Sequence, residues 1–122
     1  MRVERVDFVT VPTRDAGRAV AWYRDVLGLP ESAVTAGEVE CANVTLSFWE
    51  PEREGLPFTP NEAGFALRVP DVAEARAELQ ARGVEFVAET WDSGVCHFAA
   101  FRDPDGNVLI LHRRYAPRRP RG

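Results

Sequence analysis

Two histidines, His97 and His112, and two cysteines, Cys41 and Cys96, are the chain's metal-binding and nucleophilic candidates. His112 has the chemistry of a general base or of a hydrogen-bond donor to a ligand. Cys96 is a nucleophile only if a neighbouring base or cation generates its thiolate. No base stands at a clear spacing from it, which favours an inert buried thiol. His97 follows Cys96 directly, so on a strand the two point to opposite faces. Cys96, His97 and His112 therefore do not converge as a metal site, and Cys96 with His112 alone is a weak pair. Arg68 offers a guanidinium to an anion. Trp22, Tyr23, Trp49 and Trp91 offer aromatic surface, for packing or for stacking on a bound molecule.

These side chains need elements to hold them. The strongest signal runs from Phe101 to Leu111, F-R-D-P-D-G-N-V-L-I-L. Asp103-Pro104-Asp105-Gly106-Asn107 has turn chemistry at every position, and apolar runs flank it. It predicts a hairpin tip between strands Val95–Arg102 and Asn107–Arg113, the second buried on both faces. Upstream, alternation predicts strands over Val3–Val11, Val39–Ala42 and Val44–Trp49, with a weak one over Ser32–Ala36. Helical spacing of Ala19, Val20, Trp22, Tyr23, Val26 and Leu27 predicts a helix from Ala16 to Leu27. Thr13 or Asp15 caps it and Gly28 stops it. Pro51–Ala63, with three prolines, reads as a partly mobile linker.

The pattern then repeats. Gly64–Val69 reads as a strand and Asp71 as the N-cap of a helix with Glu74 at its third position. Ala75, Leu79 and the stem of Arg82 line that helix's inner side, and Gly83 ends it. Val84–Ala88 reads as a strand and Glu89–Gly94 as a loop. Counting back seven residues from Asp15 and Asp71 gives Phe8 and Gly64, so the two halves share a register. Neither half buries its sheet alone. The expected fold is α+β: two βαβββ modules forming a curved mixed sheet of eight strands around a trough, helices outside. The modules span 1–50 and 63–115, with a linker over 51–62 and a loose tail over 116–122.

Hydrophobic residues at 45% are enough for a core in 122 residues. A formal net charge of -4 argues against a nucleic-acid partner. Charges at Arg2, Glu4 and Arg5 occupy the place of a signal peptide's apolar run. No run approaches the ~20 apolar residues of a membrane span. Two cysteines without C-x-x-C spacing fit a reduced, cytoplasmic protein.

Three segments together resemble the vicinal oxygen chelate superfamily, which includes glyoxalases, extradiol dioxygenases, fosfomycin-resistance enzymes and bleomycin-binding proteins. They are A-W-Y-R-D-V-L-G-L at Ala21–Leu29, the Val69–Phe86 segment with P-D-V-A and R-G-V-E-F, and F-R-D-P-D-G-N-V at Phe101–Val108. The resemblance implies paired modules, and often a homodimer. It also implies four cavity positions that hold a divalent ion in the metal enzymes. Carried over, those positions are Phe8, Ser47, Gly64 and Ile110. None is His, Asp, Glu or Cys, so no metal and no cofactor is expected.

The same register turns Phe8, Thr10, Thr45, Ser47, Trp49 and Arg68 toward the trough. By the resemblance, the face shared by Cys96, Phe98 and Ala100 is inward too; Val108, Ile110 and His112 line the last strand, and Trp91 caps the mouth. That is the make-up of a pocket for a flat, partly apolar molecule. The leading expectation is a metal-free protein that sequesters or senses a small aromatic or amphipathic compound. Two alternatives stand beside it. One is a lyase- or isomerase-like or dioxygenase-like enzyme using His112, Arg68 or Cys96. The other is a structural module that dimerises through its sheet edges.

Overall fold

The computed structural model describes residues 1–118. From position 119 on, the expected tail lies outside the described residues. The elements run β1 (Phe8–Pro12), α1 (Ala16–Asp25), β2 (Glu38–Cys41), β3 (Val44–Trp49), a 3-10 turn (Pro51–Glu54), β4 (Phe65–Arg68), α2 (Val72–Ala81), β5 (Trp91–Asp92), β6 (Cys96–Arg102) and β7 (Val108–Arg114). Helices and mixed sheets in this order make an α+β fold. The chain divides into two compact units between Asn61 and Glu62.

In the first unit, β3 is central: it pairs parallel to β1 and antiparallel to β2. Alternation sends Val9, Val11, Val39, Leu46 and Phe48 to one face. Helix α1 packs on that face, and Tyr23, fully buried, meets the Phe48 ring edge-on at 4.7 Å. Burying a side chain of this size contributes roughly 1.5–3 kcal/mol. The helix starts where Asp15 accepts a hydrogen bond from the Arg18 amide at 3.0 Å, the N-cap expected of it. Glu50 also accepts from the Ala16 amide, tying the end of β3 to the same turn.

In the second unit, β7 lies between β4, parallel, and β6, antiparallel, with β5 on the outer edge of β6. Ala99, Phe101, Leu109 and Leu111 are buried on the face that α2 covers with Val72 and Leu79. Asp71 caps α2 by accepting from the Glu74 amide at 2.9 Å. The hairpin tip closes on Asp103. One carboxylate oxygen accepts from the amides of Asp105 and Asn107, and the other from the Asn107 side chain, each at 2.9 Å. Gly106 takes φ 92 there, as the turn requires.

Several sequence expectations are corrected. The strand drawn from Val3 begins at Phe8, because the β3 ladder reaches back only to the Phe8–Thr45 pair. The residues before it, Val3 and Val6 included, are exposed. Helix α1 ends at Asp25, with Val26 as C-cap. The weak strand over Ser32–Ala36 is a turn whose amides at Val34 and Thr35 donate to Ser32 Oγ; only a bridge between Glu31 and Val39 remains. The linker holds the 3-10 turn. Val84–Ala88 keeps one bridge, Phe86 to Phe101, and a Val87 amide bond to Ala100. Arg76 pulls that segment toward α2, lying 4.5 Å over the Phe86 ring and donating to the Ala88 carbonyl. The strand that continues the sheet is instead β5, inside the expected loop. Seven strands form among the described residues, in sheets of three and four, where eight were expected. Arg82 is exposed and pairs with Glu78. Strand β7 is sealed on the Leu109–Leu111 face, while Ile110 and His112 are half-exposed.

Candidate functional site

The second unit presents an open sheet face opposite α2. Across it runs one row of register partners: Trp91 opposite Phe98, Phe98 opposite His112, and His112 beside Arg68. The row is continuous in space. Trp91 and Phe98 have ring centroids 5.0 Å apart, and Phe98 and His112 4.8 Å apart. Both spacings lie in the range of favourable aromatic pairs. Trp91 is 60% exposed, Phe98 and His112 are half-buried, and Arg68 is exposed. Ala100, Ile110 and Ala66 make the next row, with small or aliphatic side chains that leave the surface shallow. Cys96 and Arg114 flank the aromatic row on its other side. Cys96 is buried, and its amide donates to Ser93 Oγ.

A cluster on the opposite side of the same edge holds β5 in place. Asp92 accepts from the Gly94 amide at 2.8 Å and from the Tyr115 hydroxyl at 2.7 Å, and His97 Nε2 lies 3.3 Å from it. The Gly94 amide, then the Tyr115 hydroxyl, hold the Asp92 carboxyl below its usual pKa. The same bond, helped by some burial, pushes the Tyr115 phenol up. The His97 ring sits 4.7 Å from that of Tyr115. This cluster anchors the residue next to Trp91, and so sets where the indole stands. His97 faces away from Phe98 and acts in this anchor.

In the first unit, the face opposite α1 carries Phe8, Thr10 and Pro12 from β1 and Thr45, Ser47 and Trp49 from β3. Phe8 is 55% exposed and Trp49 38%. Sequence reasoning missed two carboxylates here. Glu38 and Glu40 alternate with buried Val39 along β2 and stand beside Ser47 and Thr45. Thr45 donates to Glu40 at 2.7 Å. The E-V-E-C alternation was the available signal. An open hollow of about 610 Å³ adjoins this edge, lined by Arg5, Asp7, Glu40, Cys41 and Asn43 among others. Partial burial, then the Glu40 charge, raises the Cys41 thiol pKa and lowers its reactivity.

Of the four positions that the resemblance assigns to an ion, none carries a carboxylate, thiol or imidazole. Phe8, Ser47 and Ile110 provide one neutral hydroxyl between them. Gly64 lies just before β4 at φ 71, and a Cβ there would sit 2.6 Å from the Val108 carbonyl oxygen. The site has no room for a liganding side chain at that position. Among the described residues, no group of three His, Cys, Asp or Glu side chains is placed to hold a metal ion. No described helix is long and apolar enough to cross a membrane.

Comparison with known proteins follows the same lines. The chain is similar in fold to a superfamily member from Sphaerobacter thermophilus, at 23% identity and TM-score 0.74, over 90% of this chain and 97% of that one. It is similar to TnmS3, an antibiotic binding protein from Streptomyces sp. CB03234, at 26% identity and TM-score 0.73, over 93% and 98%. A glyoxalase/bleomycin resistance protein/dioxygenase from Nocardioides matches at 22% identity and TM-score 0.72, over 100% and 91%. No curated protein matches the chain. The family model for these folds matches residues 5–111. With that match over most of its length, the chain belongs to the glyoxalase/bleomycin resistance protein/dioxygenase superfamily.

Proposed function

We propose that this protein binds a small aromatic or amphipathic compound without a metal ion, and sequesters or senses it rather than transforming it. The observation that carries this reading is the Trp91–Phe98–His112 row, an aromatic ladder left open to solvent on a sheet face. A solvent-facing row of rings costs hydration free energy that a flat ligand would recover by stacking. The four unsuitable metal positions support the metal-free part, and the similarity to an antibiotic-binding protein supports the class of ligand. An enzymatic reading built on Cys96 gains less support, since the thiol is buried. The proposal includes a homodimer in a reducing cytoplasm, in keeping with cysteines that form no disulfide.

The test is a thermal-shift screen with aromatic natural products and metabolites. A true ligand at a hundredfold excess over its dissociation constant adds ~2.7 kcal/mol of stability. Trp91→Ala should weaken that ligand about tenfold, from the lost stacking and buried area. No stabilising compound in a broad panel, or a Trp91→Ala variant that binds unchanged, would overturn the proposal.

A further inference from the structure

The open face of the second unit has an unusual balance of charge. Its strand residues are Ala66 and Arg68 from β4, Trp91 from β5, the Cys96 side of β6, and the His112 side of β7. None of them is acidic. The ionisable groups on that face beside the aromatic row are Arg68, His112, Arg114 and the Cys96 thiol, while Asp92 and His97 lie on the opposite face of the same edge. This holds in a chain whose formal net charge is -4. Two other arginines of the unit are matched by carboxylates: Arg102 pairs with Glu62 and Arg82 with Glu78. Arg68 has no carboxylate or hydrogen-bond partner among the described residues.

Arg114 adds an independent observation. It stands two residues beyond His112 and opposite Cys96, on the same face. Its Nε is buried without a hydrogen-bond partner among the described residues. A buried donor left unmet carries a desolvation cost. One end of the aromatic row therefore has an unpaired guanidinium beside His112. Next to the row lies a second guanidinium with a donor to spare.

We propose that the ligand of this face is an aromatic anion, a flat ring system carrying a carboxylate or a similar singly charged group. The inference rests on the binding role proposed above and names its ligand class. The ring stacks along Trp91 and Phe98. The anionic group meets Arg68 at the far end of the row and accepts from His112 or Arg114. A guanidinium suits this task because its planar fork matches a carboxylate. The overall negative charge of the chain repels anions at a distance, so a preference for an anion must arise locally.

The test is isothermal titration of the full chain with three probes of one shape: naphthalene-2-carboxylate, naphthalene-2-carboxamide and 2-naphthylmethylamine. The carboxylate should bind about tenfold more tightly than the carboxamide, and the amine weakest, as expected for one charge-assisted contact at a partly exposed site. Arg68→Gln should cut that preference to under about threefold, while Arg68→Lys, which keeps the charge but not the fork, retains only part of it. Arg2→Gln, which removes the same charge from the other unit, should leave it unchanged. A carboxamide or amine that binds as tightly as the carboxylate overturns the anion assignment and leaves the binding role standing. So does a preference that survives Arg68→Gln. If none of the three probes binds, the aromatic-anion assignment fails, and a stabilising compound in the broad screen would still keep the binding role standing.

Discussion

At the scale of single residues, one glycine decides a great deal. Gly64 is one of the positions that the resemblance assigns to an ion, but at its φ of 71 a Cβ would sit 2.6 Å from the Val108 carbonyl oxygen, so any side chain there is strained. Gly64→Ala should cost about 2 kcal/mol or more, from the left-handed backbone and the 2.6 Å approach together. Urea unfolding of the two proteins measures it, and a midpoint equal to the parent would contradict the contact. The sequence showed that Gly64 was the wrong residue for a metal. It did not show that the backbone had closed the position, because a close approach of two strands is a tertiary fact. Trp91 was read as a loop residue capping a mouth. Its place in a strand depends on the Asp92 anchor, whose partners Gly94 and Tyr115 come from a turn and from beyond β7. No local pattern joins residues twenty-three positions apart, as Asp92 and Tyr115 are.

At the scale of elements, the legible parts were those with local causes. Both N-caps, both glycine stops and the Asp103 turn follow from side chains that bond their own neighbourhood, and each stands where the sequence put it. The illegible parts were edges. Val84–Ala88 has strand composition, yet Arg76 on α2 competes for its carbonyls and its ring, and most of the ladder is lost. Edge strand β5 is short and depends on the Asp92 cluster, which gives it a dependence on pH. Asp92 has a lowered folded pKa, so its contribution is present above the unfolded value near 3.9 and is lost as pH falls through the lower folded value. Tyr115 has a raised folded pKa, so its contribution is present below about 10 and is lost as pH rises through the higher folded value. The Trp91 indole resonance should therefore shift at the acid end as pH falls through the lowered Asp92 value and at the alkaline end as pH rises through the raised Tyr115 value. In Tyr115→Phe the alkaline shift should vanish. An alkaline shift that persists in that variant would separate β5 from the cluster.

At the scale of the whole molecule, the α+β class and the family were readable from the sequence, and the family match and the similarity to solved structures bear them out. The number of strands was not readable, since bridges and strands differ by only a few backbone bonds. If the site functions without a cation, dialysis against EDTA should leave both the melting temperature and the affinity for an aromatic ligand unchanged. A fall in either, restored by a divalent ion, would mean that a metal takes part. The acidic net charge and the cationic patch beside the aromatic row also belong to this scale, because they work against each other at long and short range.

The crowding of Gly64 against Val108 also limits what substitution can do there. Any side chain added at that point meets the Val108 backbone first, so a single change strains the sheet before it can add chemistry. The exposed row beside it, where Trp91 and Arg68 stand open to solvent, has the room to vary.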